Sequence, residues 1–227
     1  MKYNHSEFLL EKEKILDEMI GGRCYYPDVR IWMHPFSTLL VYFSKKNNIT
    51  PNTLSILNLL LSILCLFCFF KSYYFFAFFL FWMRAVLDCS DGALARYNNQ
   101  TSKLGKFLDS AIDWPFYLIL WFFIAFKLSS LFLTIYFLFT VISYVCFVEI
   151  YIEPNLSKLV KRAPLKNFFL EKGYILGFGV FTVLEFWSLA FFLFSDFLAS
   201  KHIYILLILV NIDLLYRIYE IVIYKKR

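Results

Sequence analysis

Four aspartates stand out in the segment AVLDCSDGALARYNNQTSKLGKFLDSAIDW, Ala85 to Trp114, which lies in strongly apolar surroundings. Asp88 and Asp91 are three residues apart, and Asp109 and Asp113 are four apart. Either spacing puts both carboxylates of a pair on one helical face. A turn centred near Asn99–Thr101 would make Asp88 level with Asp113 and Asp91 level with Asp109, so two antiparallel helices bring all four together. Such a cluster at membrane depth is tolerable only when most of its charge is neutralised, by protons or by cations. Carboxylates without His or Cys suit hard divalent ions, Mg²⁺ or Mn²⁺, better than zinc. Two such ions roughly 3.5–4 Å apart would balance four charges and form a clamp for phosphate chemistry.

Neighbouring residues fit that use. Gly92 leaves room beside Asp91, and Ala93 and Ala95 keep the surface small. Arg96 falls on roughly the same side, and a guanidinium matches phosphate oxygens bidentately. Gly105 opens the second helix, whose N-terminus favours anions. Pro115 should loosen that helix and free a backbone carbonyl. Plainer explanations exist singly: Asp109 as a helix-start acid, or Asp88 paired with Arg84 four residues earlier. Together they still leave two intramembrane acids without a reason.

The elements that must position these residues are membrane helices. The chain has 227 residues, 60% hydrophobic and only 18% charged, with 29 Phe and 16 Tyr and a mean hydropathy of +0.63. A soluble domain carries about a quarter charged residues. Runs of about 20 apolar residues predict six spans, at Asn52–Phe70, Tyr73–Arg96, Lys106–Phe126, Leu131–Tyr151, Tyr174–Phe194 and Ile203–Ile223. One set of connections holds Lys71, Lys127 and Lys201, while nineteen of the 23 basic residues lie on the other side. By the positive-inside rule both termini are cytoplasmic. The opening residues are too charged for a signal peptide's apolar segment. The expected fold is an all-α polytopic membrane protein of six transmembrane helices, preceded by N-terminal cytoplasmic interfacial helices. Residues 1–50 form the interfacial segment and 51–227 the membrane domain. Two amphipathic stretches support the former: Phe8, Leu9, Ile15, Leu16, Met19 and Ile20, then Ile31, Trp32, Phe36, Leu39, Leu40 and Phe43, with Pro35 near a helix start. They would lie on the membrane surface or cap the bundle.

Cys65 and Cys68 form a CxxC, but inside LLLSILCLFCFF they read as small hydrophobes rather than as metal ligands. His5, His34 and His202 show no ligand spacing. Asp213 and Arg217, four apart, should pair with each other. The basic loop Ser157–Lys166 reads first as topology and lipid contact, and Glu149 as a candidate contact for an amine head group.

With those residues placed, the chain resembles the CDP-alcohol phosphotransferases, whose pattern is D-x2-D-G-x2-A-R-x8-G-x3-D-x3-D. Asp88, Asp91, Gly92, Ala95, Arg96, Gly105, Asp109 and Asp113 satisfy every position and gap. ITPNTLSILN, entering the first span, is also similar to the family's start of that helix. The resemblance implies that an alcohol attacks the β-phosphorus of a CDP-alcohol, typically CDP-diacylglycerol, releasing CMP in phospholipid biosynthesis. It further implies that Asp88, Asp91 and Asp109 hold the metals and that Asp113 both helps hold them and acts as general base. Asn52, Thr53, Gly92, Arg96, Ser102 and Gly105 match positions around the nucleotide diphosphate. The implied partners are the donor, a small alcohol acceptor and membrane lipid, with no nucleic acid and with room for a homodimer. The implied location is the cytoplasmic membrane. GKFLDS is similar to phosphatidylglycerolphosphate synthases, although Trp114 replaces their Lys. LDCSDG is similar to choline and ethanolamine phosphotransferases, and the PDVRIW region to members using CDP-inositol or other polyol nucleotides, which keeps a soluble CDP-polyol donor open. A cation transporter is the rival from another class, but it would spread its acids through the membrane depth.

Overall fold

The computed structural model describes residues 11–12, 14–16, 29–127, 131–147, 164–172 and 196–224. All of its regular structure is helical among the described residues. A π-helical turn, Val29–Met33, leads into α1, His34–Lys46; then come α2, Pro51–Phe70, α3, Tyr74–Tyr97, and α4, Lys103–Lys127. Beyond them are α5, Leu131–Phe147, α6, Pro164–Glu171, and α7, Asp196–Tyr224. The chain forms two compact units, Met1–Leu118 and Ile119–Arg227, with α4 running through the boundary.

The expected spans at Asn52–Phe70, Tyr73–Arg96, Lys106–Phe126 and Ile203–Ile223 fall on α2, α3, α4 and α7, with α5 covering most of the fourth. The span expected at Tyr174–Phe194 lies outside the described residues. By length and composition α2 qualifies as a membrane crossing, with a mean hydropathy of 2.4. Its exposed surface is the apolar one: Ile56, Leu59, Leu60, Ile63, Leu64 and Phe67 face outward, while Ser55, Asn58 and Ser62 are buried. That is the reverse of a soluble helix and suits a lipid solvent. On α3, by contrast, Arg84, Asp88 and Asp91 interrupt the apolar run.

Sharp helix ends keep α1, α2 and α3 short enough to fold back on one another. Each stops in the same two-bond cap, with Ile49 N–H on Ser44 O (2.8 Å), Tyr73 N–H on Cys68 O (2.8 Å) and Gln100 N–H on Ala95 O (2.7 Å). The residue before each donor, Asn48, Ser72 or Asn99, takes φ of 55°, 60° or 54°. Asn tolerates this left-handed region better than most residues. At the other end of α2, Thr50 Oγ1 accepts from Thr53 N–H at 3.3 Å, and Pro51 occupies the first turn, where its missing donor costs nothing.

The second amphipathic stretch spans the π-helical turn and α1, and its most buried face is not the apolar stripe, of which Leu40 and Phe43 pack against the core in part. His34, Ser37, Thr38, Val41 and Tyr42 are buried, and Ser37 Oγ donates to the Val86 carbonyl of α3 at 3.0 Å. Ile31, Trp32 and Phe36 stay exposed, although Phe36 meets the Trp82 ring edge-on at 4.7 Å. Small and hydroxyl residues allow close helix contact here, leaving the large apolar side chains for an external medium. Of the first amphipathic stretch, the described residues include Ile15, buried in a core with Val41, Tyr42, Leu54, Leu87 and Leu94. Nearby, Glu11 pairs with Lys45 at 2.7 Å. Hydrogen bonds to Glu11, then to Tyr97, hold the Lys45 ammonium above its usual range.

Candidate active site

Antiparallel packing of α2 on α3 faces three buried polar residues with three charged ones. Ser55 Oγ donates to Asp91 Oδ2 at 2.7 Å, Asn58 Nδ2 donates to Asp88 Oδ1 at 3.2 Å, and Arg84 Nε donates to Ser62 Oγ at 3.0 Å. Steps of three and four along α2 are matched by steps of three and four back along α3, so the contacts form one register. Ser62 in turn donates to the Asn58 carbonyl at 2.8 Å, which fixes its own rotamer.

From α4 come Asp109 and Asp113. One carboxylate oxygen each from Asp88, Asp109 and Asp113 lies within 4.8 Å of the other two. Asp91 stands outside that trio, held by Ser55. Arg84 of α3 is fully buried, and its Nη2 is ion-paired with Asp113 Oδ1. The pairing with Asp88 considered from the spacing is thus replaced by one across helices. Nη1 of Arg84 donates to Tyr117 Oη at 3.0 Å, and the guanidinium lies over the Phe116 and Tyr117 rings at 4.3 and 4.8 Å. Helix α4 continues through Pro115, whose ring nitrogen has no hydrogen for the Ala111 carbonyl.

This donor set fits a hard divalent cation. It is all oxygen and anionic, and its atoms are close enough to share an ion. Beside Asp88, the buried Asn58 Oδ1 has no hydrogen-bond partner, which adds a neutral oxygen of the kind such ions accept. Cys65 and Cys68 are free thiols, Cys65 being turned to the Ala77 carbonyl.

Next to the carboxylates is a pocket of about 220 Å³ lined by residues of α2, α3, the following turn and α4, among them Asn52, Asp91, Gly92, Arg96, Ser102, Gly105 and Asp109. A Cβ added at Gly92 would stand 3.3 Å from Arg96 Nη1, so the missing side chain gives the guanidinium its place. Ser102 Oγ accepts from Gly105 N–H at 2.9 Å, capping α4, and a Cβ at Gly105 would come within 3.2 Å of that hydroxyl. Thr53 is absent from the lining; its hydroxyl shares a 2.9 Å hydrogen bond with Thr50. His34 of α1 is held below the usual imidazole range, first by burial and then by the Arg30 and Arg96 charges. Glu149 and most of the basic loop lie outside the described residues.

Ser55, Asn58, Ser62 and Tyr117 had not been singled out as functional. The signal was present, since three polar residues interrupt an apolar helix at spacings that mirror 84, 88 and 91.

The helical hairpin, the acid trio and the adjoining pocket make one candidate active site. The chain belongs to the CDP-alcohol phosphatidyltransferase family, whose model matches residues 48–192. That stretch contains α2, α3, α4 and α5 and the whole site. Membership makes it a CDP-alcohol phosphotransferase, acting between a CDP-alcohol donor and an alcohol acceptor, in a family generally integral to membranes and typically dependent on divalent metal. No individual curated protein matches the chain.

Proposed function

We propose that this protein is a six-span membrane transferase with both termini cytoplasmic, and that it moves a phosphatidyl group from CDP-diacylglycerol to a small alcohol. One observation carries the reading: the acid trio opens beside a pocket holding Gly92, Arg96 and the N-terminus of α4. In this reading Asp88, Asp91, Asp109 and Asp113 hold two Mg²⁺ or Mn²⁺ ions, which supply charge neutralisation at the diphosphate. The Arg96 guanidinium and the N–H groups opening α4 bind diphosphate oxygens. Asn52 and Ser102, both in the pocket lining, contact the nucleotide.

The acceptor hydroxyl oxygen forms a bond to the β-phosphorus while the bond from that phosphorus to the oxygen of CMP breaks. Asp113 receives the hydroxyl proton, and CMP departs with the bridging oxygen. Arg84 is fully buried behind the acid trio.

Purified protein in lipid nanodiscs, given labelled CDP-diacylglycerol with glycerol phosphate, inositol, inositol phosphate, serine, choline or ethanolamine in turn, should release CMP with at least one acceptor. Turnover of a soluble CDP-polyol, with none of CDP-diacylglycerol, would replace the proposed donor. No CMP from any donor would overturn the transferase reading.

A further inference from the structure

The geometry points to an outer shell for this site built by α2 and Arg84: Ser55, Asn58 and Ser62 set the register of α3, and Arg84 positions Asp113 from across the helix interface. The inference rests on the reading of the four aspartates as metal ligands, and it names what holds them.

Arg84 has three separate anchors. Nε is fixed on Ser62 of α2, Nη1 on Tyr117 of α4, and Nη2 on Asp113 of α4. Its face is covered by Phe116 and Tyr117, and none of it reaches solvent. A long cationic side chain that is fully buried and held at each nitrogen cannot swing toward a substrate. Its bonds instead determine where one oxygen of Asp113 sits. Asp113 itself remains a quarter exposed, so its carboxylate is pinned on one side and open on the other. An aspartate on a helix otherwise has a choice of rotamers, and only some of these keep its oxygen with those of Asp88 and Asp109.

The same logic repeats along α2. Asn58 donates to Asp88 and leaves that residue's second oxygen uncommitted among the hydrogen bonds above. Ser55 does this for Asp91. Partners behind a ligating carboxylate fix its orientation, and their loss typically costs 10–100-fold in metal affinity or activity. Lysine could replace the charge of Arg84 but not its planar set of donors, which reach three partners at once.

The test uses the full-length protein in nanodiscs, with Mn²⁺ binding followed by the EPR signal of free Mn²⁺ without donor, and kcat and KM for CMP release measured separately. Arg84→Lys is expected to weaken Mn²⁺ binding about 10-fold and to lower kcat about 10–100-fold, with the donor KM changed less than about 3-fold. Ser62→Ala, which keeps the ion pair and removes one anchor, should lower kcat by a smaller factor of about 3–10. In an Asp113→Asn background, Arg84→Lys should cause no additional loss, since residues acting through one contact are not additive. Equal fractional losses in both backgrounds, or wild-type Mn²⁺ binding and kcat in Arg84→Lys, would overturn the positioning role. Failure of the wild type itself to bind Mn²⁺ would instead overturn the metal-site reading beneath it.

Discussion

Among the described residues two buried arginines pair with aspartates, Arg84 with Asp113 and Arg217 with Asp213, and the pairs differ in what they leave open. In α7, Asp213 and Arg217 sit one turn apart on the same helix, joined at 2.7 Å, with Asp213 almost wholly enclosed. Glu220 is buried three residues further along. In the first unit, Arg84 and Asp113 are 29 residues apart on different helices, and Asp113 stays partly accessible beside Asp88 and Asp109. Pairing within one helix cancels two charges in place. Pairing between helices neutralises part of a cluster and aims the remainder at an opening. A buried ion pair alone is therefore poor evidence of function; the exposure and company of its acid distinguish the two.

The same substitution at both acids should separate these roles. Asp113→Asn should reduce kcat for CMP release about 10²–10⁴-fold, the range of a lost general base, with a smaller change in melting temperature. Chelation of divalent cations should have an effect at least as large on the wild type and be reversed by Mg²⁺ or Mn²⁺, as assayed by CMP release. Gly92→Ala, which crowds Arg96, should raise the donor KM about 10-fold, near the effect of one misplaced methyl group. Asp213→Asn should leave kcat within about 2-fold. Its cost should appear in stability instead, at about 3–5 kcal/mol for breaking a buried pair, read by thermal denaturation in detergent. Smallest of all, Glu11→Gln should cost no more than about 1 kcal/mol, because both members of the Glu11–Lys45 pair are partly exposed.

Much of the site could be read without coordinates because helical periodicity is local. The spacing of Asp88, Asp91, Asp109 and Asp113 determines their faces, and the Asn99 turn determines their level. The pair Asp213–Arg217 is legible for the same reason. What escaped was set by rotation of one helix about another. Arg84 is close enough to Asp88 in sequence to suggest that partner, yet its side chain crosses to Asp113, where Ser62 and Tyr117 complete its donor set. Thr53 matches the motif by position, but it does not line the pocket, and its hydroxyl meets that of the capping residue Thr50. On α1 the apolar stripe suggested a surface helix or a cap, but not that Ser37 and Thr38 would be the buried residues facing α3, where close helix contact favours small side chains.

In the proposed function the aspartates form one cation-dependent centre for CMP release. Asp91 tests this most directly, since it lines the pocket beside the acid trio and its hydrogen bond from Ser55 also suits an asparagine oxygen. CMP release from CDP-diacylglycerol with an active acceptor should be measured for wild type and Asp91→Asn at saturating Mg²⁺, with matched melting curves. The expected result is a folded variant with turnover reduced at least about 10³-fold, the scale of losing a metal-assisted electrostatic clamp. Undiminished turnover in Asp91→Asn would contradict it.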